Sequence, residues 1–328
     1  MSATTTAVGV VGAVAPVNRR VRAYFAPVDR AAGLPTVFDA AQMGMFALDA
    51  PPTPWVDLGW CSHFVRKSGT KVGTLTTGAP AVAQSQVRTE LEVTVEVEFE
   101  SWGKLQLALA SGSEQMNLLQ TASGAAANGS GGLAAKAVQL LVGSTATALN
   151  VGVTGAAEFR VGELVAVDED YVAQVGFVGS GASAAYVSSP ASVGEDINYI
   201  RRVSLNVGLV VAIADGVLQL GGALLAGAPL SGMQVSPLAG FVDREGGGFF
   251  QEWSGLFVMD GEQGDRILYH YPRLQAMRGS TESVEMLASP LGRVRLAGAF
   301  RALPVKDAND EATVLCFRSY LPGAMRAV

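Results

Sequence analysis

The stretch Leu91–Glu100 reads LEVTVEVEFE. Its odd positions hold Leu91, Val93, Val95, Val97 and Phe99, and its even positions hold Glu92, Thr94, Glu96, Glu98 and Glu100. A period of two predicts a β-strand with an apolar face on a core and a polar face turned away from it. Four glutamates and no lysine on one face are unusual, because like charges stacked along a strand repel. Either that face is simply solvated, or its charge serves a purpose.

Similar runs recur on both sides of this stretch. VNRRVRAYFAPV (17–28) and WVDLGWCSHFVR (55–66) precede the stretch, and EWSGLFVMD (252–260), DRILYHYPRLQAM (265–277), ESVEMLASPLGRVRLAGAFRAL (282–303) and ATVLCFRSYLP (312–322) lie far downstream. Valine-rich runs punctuated by 39 glycines predict a mostly-β protein. The turn DGEQGD (260–265) fits a hairpin. Helix candidates are few: Phe38–Leu48, Trp102–Leu109 ending near Gly112, and Leu133–Val142, which reads equally as a helical turn or a strand. Between two strands lies a polar stretch, Lys67–Thr89, long enough to be a functional loop or an extended hairpin.

Thr121–Gly132 (TASGAAANGSGG) has the composition of a flexible linker. After it come shorter runs: FRVGELVAVDEDYV, QVGFVG, AAYVSS, YIRRVSLNVGLVVAI and GVLQL. Their density predicts a small β-barrel or roll. The expected organisation is an N-terminal arm over 1–18, a β-domain in two parts over 19–140 and 228–328, and a small β-domain over 141–227 inserted into it.

The chain has 328 residues, 49% hydrophobic and 16% charged, with a net charge of −6. The charged share is below the ~25% of an ordinary soluble domain, which predicts a surface covered in part by partners. The acidic balance argues against general affinity for nucleic acid, which needs basic patches. Met1–Pro16 lacks the basic start of a signal peptide, and no apolar run reaches a membrane span. A soluble protein made in a cytoplasm, with no membrane insertion, is expected.

The chemistry-bearing residues are sparse. Cys61 and Cys316 are too few for a disulfide framework or a zinc site. Both sit in apolar runs and read as buried thiols, with a single bridge between them left open. His63 lies two residues after Cys61, on the same face if the strand is regular, yet such a pair reads better as ordinary strand neighbours than as nucleophile and base. His270, between Tyr269 and Tyr271, reads as a polar tip in an aromatic patch. Asp168-Glu169-Asp170 and Asp307–Glu311 read as turns, and no zinc, calcium or phosphate-loop spacing occurs. The glycines at 179–181 make a turn rather than a dinucleotide fingerprint. One of the paired Arg201 and Arg202 is expected inward and ion-paired. Asp243–Trp253 (DREGGGFFQEW) is the densest polar and aromatic cluster. It reads either as a tight turn feeding a strand or as an intersubunit contact through Arg244, Glu252 and Trp253. No catalytic residue, metal ligand or cofactor site is predicted, and the chain is expected not to be an enzyme.

The order of segments carries one resemblance. WVDLGW (55–60), a polar stretch with basic residues, the long alternating strand and then WGKLQLALASGSEQMNLL (102–119) resemble the tail tube (major tail) proteins of long-tailed bacteriophages. LYHYPRLQA (268–276), FRALPVKDAND (300–310) and VLCFRSYLP (314–322) have the same flavour. The resemblance implies a β-sandwich or barrel flanked by one or two short helices, with the small inserted domain as an accessory. It implies self-assembly of six copies into rings, stacked as a hollow tube through which DNA passes without specific binding, and contacts with other tail proteins in the virion. A loop or hairpin would reach the next ring, which makes Arg66, Lys67 and Lys71 candidates for inter-ring contacts. Glu92, Glu96, Glu98 and Glu100 become candidates for the lumen wall, where negative charge would keep phosphates from sticking. Head-decoration or tail-completion proteins, and a surface-binding module carried by the insert, are the alternatives.

Overall fold

A computed structural model describes residues 18–28, 34–112, 114–122, 136–168, 206–225, 227–244, 252–261, 264–277, 282–288 and 291–322. The expected arm over 1–18, the linker, the runs QVGFVG and AAYVSS, the 179–181 glycines and Arg201–Arg202 lie largely or wholly outside these residues. The protein is mostly β, and every strand pairing among the described residues is antiparallel.

Six strands close on themselves. β1 (Asn18–Pro27), β2 (Val56–Thr77), β3 (Val82–Phe99), β11 (Glu252–Gly261), β12 (Arg266–Ala276) and β14 (Leu291–Ala302) run in the order β14-β3-β2-β1-β11-β12, and β12 pairs again with β14. The closing seam is short: Leu274, Gln275 and Ala276 lie across from Ala302, Arg301 and Phe300. Closure leaves no long edge on the barrel wall, which is how a β-rich chain avoids edge-to-edge aggregation. β13 (Glu282–Ala288) continues alongside β14, and β17 (Phe317–Leu321) lies beside the first half of β12.

The barrel core is built from alternate residues, as the opening stretch predicts: Val93, Val95, Val97 and Phe99 are all buried. They meet Phe25, Phe257, Tyr271 and Phe300 from the other strands. Phe257 sits at the centre, with ring centroids 5.1 Å from Phe64, 5.9 Å from Phe25 and 5.9 Å from Tyr271. Helix α2 (Lys104–Ser111) adds Leu105, Leu109 and Ala110 to the same core and stops at Gly112, whose φ of +60° is the left-handed conformation that ends helices.

Half of the barrel wall is covered on its outside as well. The segment 34–55 lies over β1, β11 and β12, where Tyr24, Leu256, Val258 and Leu268 pack against Phe38, Phe46 and Trp55. Within it, α1 (Ala40–Met43) is shorter than the expected helix and is capped by Asp39, whose Oδ1 accepts from the Ala41 and Gln42 amides at 2.9 and 3.1 Å. Arg266 secures this cover by donating to the Gly44 and Phe46 carbonyls at 2.9 and 2.8 Å while paired with Asp260 at 2.6 Å. Covered on both faces, β11 has lost the alternation that a half-exposed strand shows, with Glu252–Val258 all buried.

A second sheet has its own core. Its order is β4-β10-β7-β8-β9-β6, from β4 (Glu114–Leu119), β6 (Ala148–Asn150), β7 (Leu164–Asp168), β8 (Val207–Ala214), β9 (Val217–Leu220) and β10 (Gln234–Arg244), and β5 (Val138–Gln139) joins β10. Leu140, Leu149, Phe159, Val165, Val210, Leu218 and Val235 form the core, and α3 (Gly152–Ala156) contributes Ala156. The ambiguous run Leu133–Val142 contributes β5, a strand, within its described part. The chain enters along β4 and leaves along the far half of β10, and these two strands pair as a ribbon from Leu119–Leu238 to Glu114–Arg244. The remaining pair, β15 (Val305–Lys306) with β16 (Thr313–Val314), is a small hairpin.

Candidate assembly surface: the hairpin arm and the charged wall

The polar stretch between the second and third predicted strands is a hairpin. β2 and β3 stay paired from Cys61–Phe99 out to Thr77–Val82, with register slips between Cys61 and His63, Lys71 and Val72, and Leu75 and Thr76. β1 leaves β2 at Cys61, and β14 leaves β3 at Thr94, so beyond that level each strand has one partner among the described residues. The eleven residues Lys67–Thr77 span roughly 35 Å at about 3.3 Å per residue. Over 67–91 every residue except Gly73 is exposed.

Alternation along β3 puts Leu91 on the side that continues the barrel interior. The register slips between Lys71 and Val72 before the chain reaches Val87 and Ser85, which lie across from Gly73 and Leu75. Leu75, Val87 and Leu91 are 59%, 60% and 45% exposed. Leu91, expected in the core with the valines that follow it, is therefore out in the arm. It has the right face but lies past the barrel's rim.

The glutamates occupy the outer face of the same strand, on the half of the wall that segment 34–55 does not cover. Each carboxylate of the stripe has a basic or polar neighbour on an adjacent strand. Glu96 pairs with Lys67 at 2.6 Å, Glu90 with Lys71 at 2.5 Å, Glu92 with Arg301 at 2.8 Å, and Glu100 lies 3.9 Å from Arg20. Glu98 stands across from His63. The acidic bias of β3, puzzling along one strand, is complemented by bases from β1, β2 and β14. Sequence reading missed this because complementarity runs across strands whose neighbours are set by the fold. At the lower end Trp60 lies under two guanidinium groups, Arg20 at 5.9 Å and Arg22 at 5.2 Å from its ring, and Arg22 is paired with Asp57.

Of the inter-ring candidates, Lys67 and Lys71 lie on the arm and are engaged by Glu96 and Glu90. Arg66 does not join them. It stands across from the buried Val95, on the barrel's inner face, and its charge acts on Tyr271 and Cys316. Burial raises the Tyr271 phenol, the thiol adds to the shift, and the guanidinium opposes it.

Two of the candidates at 244–253, Glu252 and Trp253, have partners within the protomer. Trp253 is 2% exposed in the barrel core, and Glu252 is held by Arg273 at 2.9 Å. Arg244 ends β10 across from Glu114.

Cys61 and His63 do not share a face. The register slips between them, with Cys61 across from Phe99 and His63 across from Glu98, so the bulge buries the thiol and exposes the imidazole. Burial pushes the Cys61 thiol up to about 12, the Glu100 charge adding to the effect. Cys61 and Cys316 are both free thiols. His270 is buried between Phe38, Trp55 and Phe317, with Nε2 3.3 Å from the Thr36 carbonyl, and burial drops its pKa to about 4. Among the described residues no group of side chains has the makings of a metal site, and no helix is long and apolar enough to cross a membrane. In comparisons with known protein families and with curated proteins, nothing matches this chain.

Proposed function

We propose that this chain is a structural, non-enzymatic subunit that assembles with copies of itself into stacked rings forming a hollow tail tube, through which a phage genome is delivered. The observation that carries this reading is the hairpin arm. An isolated two-stranded ribbon is marginal in water, and this one also displays Leu75, Val87 and Leu91 to solvent and has two edges that are unpaired among the described residues. Such a device is favoured when a neighbouring subunit receives it, burying these apolar side chains and completing the edges.

The division of the barrel wall supports the same reading. The half under segment 34–55 is already covered, which leaves the β2–β3–β14 half for the lumen or for a neighbour. Its carboxylates are interleaved with Lys67, Lys71 and Arg301. A wall that alternates in sign at this spacing gives passing phosphates little net attraction beyond a Debye length, so DNA slides along it.

Negative-stain microscopy of the purified protein at high concentration, alone and with the other tail proteins, tests the proposal. Rings and tubes are expected from the intact chain. A chain in which Thr70–Glu90 is replaced by an Asn-Gly turn should keep its barrel and lose the tubes. A protein that stays monomeric under all these conditions overturns the reading.

A further inference from the structure

The ribbon of β4 and β10 joins the second sheet to the barrel, and its foot carries an unusual pair. Lys104, the first residue of α2, is half-buried and donates from Nζ to Oδ1 of Asn117 in the middle of β4. Asn117 is 2% exposed. Phe241 lies across from Asn117, and its ring is tilted 42° against that of Trp102, with centroids 6.2 Å apart. Burial pulls the Lys104 amine down to about 7, so a large share of it is neutral and nucleophilic at physiological pH.

We propose that Lys104 and Asn117 join in an intramolecular isopeptide bond, which the folded protein forms on itself and which staples α2 to β4. The lone pair of the neutral amine adds to Cγ of Asn117. The Cγ–Nδ2 bond then breaks, and Nδ2 leaves as ammonia with one proton taken from Nζ. The new bond is an amide, no electrons are gained or lost, and no co-reactant is consumed.

The staple has a mechanical sense. β4 is the strand by which the chain leaves the barrel for the second sheet, so a pull on that sheet would be borne by a covalent tie to α2 as well as by hydrogen bonds. The inference does not depend on the tube reading, since it concerns a bond within one chain.

Mass spectrometry of the full-length protein decides it. The expected result is an intact mass lower than the sequence mass by one ammonia, together with a branched peptide joining Lys104 to Asn117 after digestion. Lys104→Arg and Asn117→Ala should each restore the sequence mass, with circular dichroism showing that the variants are folded. If either fails to fold, the branched peptide from the unaltered protein still decides. A full sequence mass with both peptides recovered unlinked overturns the proposal. So does a loss of ammonia without a branched peptide, which would mean an asparagine cyclised on its own backbone.

Discussion

Lys67 of β2 and Arg301 of β14 stand across from the same residue, Thr94 of β3, and reach along that strand in opposite directions. Lys67 takes Glu96 at 2.6 Å and Arg301 takes Glu92 at 2.8 Å. One neutral position thus lets two bases from opposite sides serve two carboxylates, and the three-strand wall is held in balance without a basic residue on β3 between Glu90 and Phe99.

Because these pairs are half-exposed, their worth to folding is small. Glu96→Lys puts a like charge beside Lys67 and should cost about 0.2–1 kcal/mol in urea unfolding. The loss should shrink as salt is added. If this wall lines the tube, Glu96→Lys with Glu98→Lys should leave tubes intact and slow DNA ejection. Unaltered ejection would place the stripe away from the lumen.

Thiol labelling separates the barrel's interior from a reactive site. With its pKa pushed to about 12 and its side chain inside the barrel, Cys61 should resist an alkylating reagent at pH 8 while the protein is folded. Both Cys61 and Cys316 should react after denaturation. Rapid native modification of Cys61 would contradict the bulge that turns it inward.

His270 gives the protein an acid sensitivity whose sign follows from its burial. Its ordinary pKa of 6.5 falls to about 4 in the folded chain, so protonation favours the unfolded state. Its contribution is complete above the ordinary value, declines as pH falls toward about 4, and then levels. The full effect is about 3 kcal/mol. His270→Phe, which keeps the stack on Phe317, should flatten this part of the stability curve relative to the unaltered protein. Equal slopes in the two proteins would show that the imidazole is not held neutral.

Gly216 tests the independence of the second core. It sits at φ +79° in the β8–β9 turn, and a Cβ there would come within 2.5 Å of the Gly152 backbone. Gly216→Ala should cost about 1–3 kcal/mol through strain. Hydrogen exchange should quicken in residues 136–237, while the barrel strands β1, β11 and β12 keep their protection. Loosening of both cores together would show that they unfold as one unit.

The features legible along the chain are local ones. The alternation of Val93, Val95, Val97 and Phe99 with glutamates decided which face of β3 is buried, because side chains of a strand point alternately to its two sides whatever surrounds it. Gly112 marked the end of α2 and Asp260–Asp265 the turn between β11 and β12, since both are set by backbone preferences of a few residues. Whatever depends on a partner distant in the chain was set by the packing of the strands. Leu91 has the same pattern as Val93 yet lies outside, because β14 stops pairing at Thr94 and the barrel ends there. Cys61 and His63 were separated by a one-residue slip against β3, which no period in β2 announces. Trp253 went inward and Arg66 turned toward Tyr271 only once β12 met β14 and closed the barrel. The contact of Lys104 with Asn117 likewise exists only because the fold brings α2 alongside β4.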